Sequence, residues 1–453
     1  MFIEVPDDVL RILTVLRENN YKAYVVGGCV RDSLLGCTPH DWDITTDATP
    51  DEVSKLFKKV IPSGIDFGTV TVRINKNSYE VTTFRKDGRY SDGRHPDAIQ
   101  FEKNLSEDVS RRDLTINAIA YNPWEGVIDL VGGLQDLADK KIRFVGNPYD
   151  RLREDPLRAL RAIRFAARYN FGMDDYTANA CLEVFADRCN CISSERIHDE
   201  IIKFFTGRVS KECINLDLLS LYVRCLSFAS RWIGELFDVS QYNKYHIYDV
   251  FNHTLHVMHY TTQYNDYILS MAALLHDIGK KRTKTVGKDG YEHFINHARE
   301  SVSISRNILA QLRFSKEETR SILFLVANHD IFMSGYKMYK VRKFLAGRNE
   351  EEINRLLILR RADSYGQNPT MVDYNYMEEL EAVFHGILRD KTNITLHSLK
   401  INGDDILAIG VANVVNIRKI LDECLNECYR VPKHNNRDYL LEYARRLIIR
   451  NEY

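Results

Sequence analysis

At 453 residues the chain is too long for one compact core, and two to four domains are expected. Its 44% hydrophobic and 28% charged residues describe an ordinary soluble globular protein. A formal net charge of −1 excludes a global positive field toward nucleic acid, so RNA binding would have to rest on local basic patches. The nine cysteines form no CxxC pair and read as free thiols of a reducing cytosol. The acidic start lacks the basic and apolar regions of a signal peptide, and no uninterrupted apolar run approaches the roughly 20 residues a bilayer needs. A cytoplasmic protein with no membrane partner is expected.

Taken in chain order, Val9, Leu10, Leu13 and Leu16 give a helical stripe, and residues 23–26 read as a strand ending in Gly27-Gly28. A second helix follows. Residues 42–45, 69–74 and 79–84 read as further strands, the last with period-2 alternation through Tyr79, Val81 and Thr83. From about residue 150 strand signals nearly vanish. Helix then follows helix, interrupted by the Gly-containing stretch 285–291 and by Asn402-Gly403. The expected class is α+β: an N-terminal head with a mixed sheet and helices, then a long, mostly helical body. There is no internal repeat and no low-complexity tract.

Asp41 and Asp43 flank Trp42 in the expected strand, so period-2 geometry puts both carboxylates on one face and turns Trp42 and Ile44 to the core. Two carboxylates side by side repel unless a cation lies between them, the arrangement that holds Mg²⁺ with substrate phosphates. Alone, the D-x-D pattern is weak, because a solvated loop edge explains it. Ten residues earlier stands Gly27-Gly28-Cys29-Val30-Arg31-Asp32, between a strand and a helix. Glycines there let backbone N–H groups approach a triphosphate, and Arg31 can meet a phosphate bidentately; a plain tight turn would also use them.

Together, Gly27-Gly28-x-x-Arg31-Asp32 and Asp41-x-Asp43 resemble the head of class II tRNA nucleotidyltransferases and bacterial poly(A) polymerases, in the polymerase-β-like superfamily. The resemblance covers at least residues 23–205 and continues more thinly to the C-terminus. It implies Asp41 and Asp43 as Mg²⁺ ligands, with Glu80 as a secondary third acid by position. It also implies two-metal chemistry, in which a 3′-hydroxyl attacks the α-phosphate of a nucleoside triphosphate and pyrophosphate departs. The implied partners are tRNA, CTP and ATP.

Two further motifs fit the resemblance. In Arg111-Arg112-Asp113-Leu114-Thr115-Ile116-Asn117-Ala118, Arg112 and Asp113 are expected to hold the nucleotide with Gly28 and Arg31. In Glu154-Asp155-Pro156-Leu157-Arg158, Asp155 and Arg158 are expected to share a helix face, continued by Arg161, Arg164 and Arg168. Cytosine and adenine each present an amino donor beside a ring-nitrogen acceptor, the reverse of guanine and uracil. A carboxylate beside a guanidinium therefore accepts C or A and leaves G or U mispaired. Asp155-Pro156 is also a good helix N-cap with proline at the first helical position. Ser194-Glu195-Arg196-Ile197 matches the family's last neck motif, expected to support the template helix.

Residues 84–96 are polar and Gly-containing, like the mobile loop that CCA-adding and A-adding enzymes need for adenosine. Phe67-Gly68-Thr69-Val70-Thr71-Val72 has the form of tRNA enzymes and not the basic segment of poly(A) polymerases. CCA addition is therefore the expected activity, with A-only addition and poly(A) synthesis as alternatives.

Downstream, His253, His276-Asp277 and Asp363 have the order of the HD phosphohydrolase signature, with His297 and His329 as further candidate ligands of a second divalent metal. His276 and Asp277 are expected on an apolar helix. A phosphohydrolase acting on RNA 3′ ends is the alternative function. The tail around Leu399-Lys400-Ile401-Asn402-Gly403-Asp404-Asp405 resembles the tRNA-elbow region, but Val411-Ala412-Asn413-Val414-Val415-Asn416-Ile417 departs from the family's Gly-Pro-x-Ile-Gly stretch. The expected division is a catalytic head at 1–140, a helical base-recognition neck at 141–210, an HD-bearing body at 211–390 and a tRNA-contacting tail at 391–453.

Overall fold

The computed structural model describes residues 2–207, 212–331, 337–392, 394–411 and 413–450. The neck–body boundary expected at 210, Ala412 of the departing tail stretch and the last three tail residues lie outside them. The chain forms two compact units: Met1–Gly234 with Thr262–Tyr267 and Ile308–Phe314, and Glu235–Thr261 with Ile268–Asn307 and Ser315–Tyr453.

The first unit is built on a seven-stranded mixed sheet. Its strands are β1 (Ala23–Val26), β2 (Ile44–Thr46), β3 (Val60–Gly64), β4 (Thr69–Ile74), β5 (Asn77–Thr83), β8 (Ala120–Asn122) and β9 (Gly126–Ile128). A separate hairpin pairs β6 (Arg85–Asp87) with β7 (Ile99–Phe101). The spatial order is β3-β4-β5-β2-β1-β8-β9. All neighbours run antiparallel except β2 and β5, which are parallel, with Ile44 opposite Val81. Val70, Val72 and Ile74 alternate into the core on β4, as period-2 geometry requires.

Before the sheet, helix Asp7–Glu18 buries Val9, Ile12, Leu13 and Leu16. The expected stripe placed Leu10 there, but Leu10 is exposed; the i, i+3, i+4, i+7 spacing selects Ile12 instead. After the sheet come helices Pro148–Glu154, Arg158–Tyr169, Asp175–Arg188 and Ser194–Phe205, within the span 141–210, and then Leu216–Ala229 beyond it. The second unit is helical apart from the short hairpin of Thr285–Val286 with Glu292–His293. Its end, helices Gly403–Ala408, Val414–Arg430 and Arg437–Ile449, closes around Ile406, Ile420, Cys424, Cys428 and Leu440. Asn402 caps the first of these reciprocally with Asp405, so part of the expected tRNA-facing stretch does local work. The nine cysteines are free thiols. Among the described residues no helix is long and apolar enough to cross a membrane.

Candidate active site

Strand β2 begins at Ile44, so Asp41-Trp42-Asp43 is the extended run leading into it and not the strand expected from residue 42. The alternation nevertheless holds: Asp41 and Asp43 are exposed, Trp42 and Ile44 buried. The Asp43 carbonyl accepts from the Val26 N–H at 3.0 Å, which continues the sheet ladder one residue past β2. One step back from the Ile44–Val81 pair, Glu80 stands across from Asp43. Asp41, Asp43 and Glu80 line one cavity of about 830 Å³. Packed surroundings raise the Asp43 pKa, as does the Asp41 charge, while Arg112 opposes both. Glu80 is raised by desolvation and then by Asp43 and Asp41. Two carboxyls raised by burial and by acidic neighbours, beside Asp41, are a donor set suited to a cation.

Gly27 ends β1 at φ +86°, a conformation that side chains with a Cβ rarely adopt, and its open face meets the Arg112 guanidinium. Arg31 does not present itself to a phosphate as expected. It is buried, pairs with Asp32 at 2.8 Å, donates to Asn117 Oδ1, and lies over the rings of Phe165 and Tyr169. The Tyr169 hydroxyl donates to Asp32 at 2.7 Å. Arg31 therefore clamps the glycine turn to the helix Arg158–Tyr169.

A second cavity of about 480 Å³ is lined by Arg112, Asp113, Asp155, Arg158 and Arg161, with Arg94, Arg111, Arg196 and Lys203. Its acids and bases pair differently from the expected register. Asp155 does not start the helix at 158; proline at 156 forces its backbone to φ −146°, ψ 102°, which ends the preceding helix instead. Asp155 accepts from the Leu157 N–H at 3.1 Å and from Arg196 at 2.7 Å. Arg158 turns back to Glu154 and to the Arg151 carbonyl. Arg161 binds Asp113 at 2.7 Å; burial opposes ionisation there, yet Arg161, Asn117 and Arg158 together hold the Asp113 carboxyl well below its ordinary range. Arg164 lies outside the cavity lining, buried against Glu200 at 2.6 Å. Arg196 thus braces the segment around Asp155.

Sequence reading missed Asp108, fully buried at the centre of this set. It accepts from Arg111 at 2.6 Å, Arg112 at 3.2 Å and Thr45 at 3.1 Å, so one carboxylate ties both arginines to β2. Burial opposes its ionisation, yet Arg112 and Arg111 pull its pKa down. Its i, i+3, i+4 spacing to that pair was the available signal. The polar loop is anchored by the β6–β7 hairpin. Tyr90 donates to Asp87 at 2.7 Å and its ring lies 5.9 Å from the Arg158 guanidinium.

In the second unit all six expected ligands converge. His276 and Asp277 stand in the turn after helix Tyr267–Leu275, not on it. His253 Nε2 lies 3.2 Å from His276 Nε2 and 3.1 Å from Asp363; His297 Nε2 lies 3.2 Å from His329 Nε2 and 3.4 Å from Asp277. His253, His276 and Asp277 make one group able to hold an ion, and Asp277, His297 and His329 another. In each ring Nδ1 faces a carbonyl, of Gly366, Ala273, Phe294 and Val326 respectively, at 2.7–2.9 Å. A carbonyl only accepts, so every Nδ1 carries the proton and every neutral ring turns its Nε2 lone pair inward. Burial first, against the pull of Asp277, lowers the His297 pKa and favours that neutral form. Lone pairs facing at 3.2 Å repel, and neither Asp277 oxygen accepts a well-formed hydrogen bond, though Lys280 lies 2.6 Å away. The donor set fits divalent cations.

Residues 23–143 match the family model of the poly A polymerase head domain, and residues 250–366 that of the HD domain. Over 201 residues the chain is 50% identical to the CCA-adding enzyme of Oceanobacillus iheyensis, covering 44% of this chain and 50% of that one. Over 250 residues it is 40% identical to the CCA-adding enzyme of Ligilactobacillus salivarius, covering 54% and 61%. The matched segments thus span about half to three-fifths of these curated relatives. The fold is that of a crystal structure of Bacillus stearothermophilus CCA-adding enzyme in complex with CTP (TM-score 0.67, 24% identity, 98% of each chain). It is shared with the Thermotoga maritima CCA-adding enzyme complexed with tRNA (TM-score 0.60, 17% identity, 98% and 96%).

Proposed function

We propose that this chain is a tRNA nucleotidyltransferase that adds C, C and A to the tRNA 3′ end from CTP and ATP without a nucleic-acid template, in the cytoplasm. The observation that carries the reading is the acid set Asp41, Asp43 and Glu80 lining one cavity of a unit that also holds an arginine- and aspartate-lined cleft. Residues 1–140 serve as the catalytic head, 141–210 as the neck that reads the base, 211–390 as the HD-bearing body and 391–453 as the tail that meets tRNA.

Asp41 and Asp43, with Glu80 as the third acid, are the residues to hold Mg²⁺. Bound there, the metal would acidify the 3′-hydroxyl and neutralise the triphosphate and departing pyrophosphate. The protein's own groups do the rest. Arg112, paired with Asp108, presents positive charge over Gly27 toward the triphosphate. Asp113 is kept ionised beside Arg161 and orients it. Asp155 and Arg158 supply an acceptor and a donor for the C or A edge, with Arg196 steadying the first. Arg31 and Arg164 act through position, holding the neck helix.

The test is incorporation with Mg²⁺ and single nucleotides on tRNAs ending before CCA, after C and after CC. Expected is C on the first two and A on the third. Incorporation only of A on the CC-ended tRNA would replace the reading by A-addition, and untemplated A runs on unrelated RNA by poly(A) synthesis. No incorporation would overturn it.

A second reading rests on the inward-facing imidazoles of the body. His253, His276, Asp277 and Asp363 are the residues to hold one divalent metal, and Asp277, His297 and His329 a second. A metal-dependent phosphohydrolase acting on RNA 3′ ends is the activity this set supports.

A further inference from the structure

A guanidinium that stands near two carboxylates pairs with the one held ready for it, and Arg112 is in that position. Its Nη1 lies 3.4 Å from the place a Cβ on Gly27 would take, and Gly27 follows Val26, whose N–H donates to the Asp43 carbonyl. The Arg112 charge acts on Asp43, lowering its pKa against burial and against Asp41. Among the described residues, however, Arg112 forms its ion pair with Asp108 and not with Asp43. That pair uses Nη2 at 3.2 Å and leaves the buried Nε without a hydrogen-bond partner, so the guanidinium keeps a donor for a further acceptor.

Asp108 is fixed more firmly than Asp43. Alternation puts Thr45 on the face of β2 that carries Asp43, and Thr45 donates to Asp108 Oδ2 at 3.1 Å. Arg111 donates to Oδ1 through Nε at 3.0 Å and Nη2 at 2.6 Å. Both oxygens are engaged and the residue is fully buried, so the carboxylate has no freedom to turn. Asp43 lies exposed in the cavity that Asp41 and Glu80 also line.

We propose that Asp108 is a positioning residue that holds the Arg112 guanidinium off Asp43, so that the charge serves the triphosphate and the acid stays open to its cation. The proposal rests on the nucleotidyltransferase reading. With the Asp108 charge removed, Asp43 becomes the acceptor for Arg112. That pair would occupy the acid and withdraw the guanidinium from the phosphates in one move. A residue that only supported the helix Leu105–Ser110 would change stability without setting arginine and metal in competition.

The experiment reads metal binding without turnover. Free Mn²⁺ is measured by electron paramagnetic resonance in wild type, Asp108→Asn, Arg112→Ala and the double variant, each beside the same protein carrying Asp41→Ala. Binding that Asp41→Ala removes belongs to the head. Asp108→Asn should weaken that binding about fivefold or more, and Arg112→Ala should leave it no weaker than wild type. The double variant should bind as Arg112→Ala does, because the competing guanidinium is gone. In transfer assays Asp108→Asn should raise KM for CTP and ATP by similar factors and raise the Mg²⁺ needed for half-maximal rate, with acceptor KM within about twofold. Thr45→Val, which loosens Asp108 without removing a buried charge, should weaken Mn²⁺ binding by a smaller factor. Unchanged Mn²⁺ affinity in folded Asp108→Asn would overturn the proposal, as would equal weakening in the single and double variants. Should Asp108→Asn not fold, unchanged affinity in Thr45→Val would overturn it, as would wild-type binding that Asp41→Ala leaves intact. Wild type that binds Mn²⁺ through Asp41 yet transfers no nucleotide would instead overturn the reading on which it rests.

Discussion

Asp43 and Glu80 carry pKa values raised first by burial, then by Asp41 for Asp43 and by Asp43 and Asp41 for Glu80, and this gives the acid set a signature in pH. A carboxyl raised in the folded state contributes stability that is present below its unfolded value and lost as pH rises through the folded one. Without divalent metal, stability contributed by this set should therefore fall as pH climbs above about 4, and Mg²⁺ should restore it. The lowered carboxyls Asp108 and Asp113 act in the opposite sense, losing stability as pH falls, but do so with or without Mg²⁺. Melting temperatures in Mg²⁺ and in EDTA should accordingly diverge with rising pH in wild type and stay together in an Asp43→Asn, Glu80→Gln double variant. A gap of constant width would count against the metal assignment. At this scale the residue types were legible and their partners were not. Alternation gave the common face of Asp41 and Asp43. Nothing local could reveal that Arg31 is spent on Asp32 and Asn117, since Asn117 lies 86 positions away and only folding brings it near.

The helix Arg158–Tyr169 is held by ion pairs that differ in depth. Arg161 is partly open, whereas Arg164 and Glu200 keep only 10% and 3% of their side-chain surfaces exposed. Glu200→Ala would leave a guanidinium buried without its main partner, at a cost of about 3–5 kcal/mol. Urea unfolding should show that loss, and Arg164→Met combined with Glu200→Leu should recover much of it; an effect below about 1 kcal/mol for the single variant would mean the pair is hydrated. The neck helices were readable from periodicity, and their joint was not. Asp-Pro served equally as a cap or as a break, and the extended geometry that proline imposes on the residue before it decided for a break. The start of β2 moved by two residues for a related reason: its pairing partner Val81 sets the end, and pattern alone does not show where pairing stops.

For the whole molecule, the head carboxylates and the body imidazoles lie in different compact units and should fail separately. Asp41→Ala should abolish nucleotide addition yet leave the divalent metal content proposed for the body unchanged, measured by elemental analysis. Asp277→Asn should strip metal from both halves of the histidine cluster, since both groups use that one carboxylate. Parallel loss of metal and addition in a folded Asp41→Ala variant would contradict two sites. The six candidate ligands were legible from the order of their histidines and aspartates; the carbonyl that orients each ring was not, being a backbone atom without a sequence mark.

The first unit also reclaims Thr262–Tyr267 and Ile308–Phe314 after the second has begun. Thr262 accepts from the Ile214 N–H at 3.1 Å, and Gln311 accepts from Ser230 at 2.9 Å. A nascent chain emerging from the ribosome therefore cannot finish its first unit when residue 234 appears. It must wait for residue 314, by which time His253, His276, Asp277 and His297 have already been made, while His329 and Asp363 have not. Synthesis order thus interlaces the completion of the two halves, and a nuclease-free extract stalled between these points would hold neither one finished.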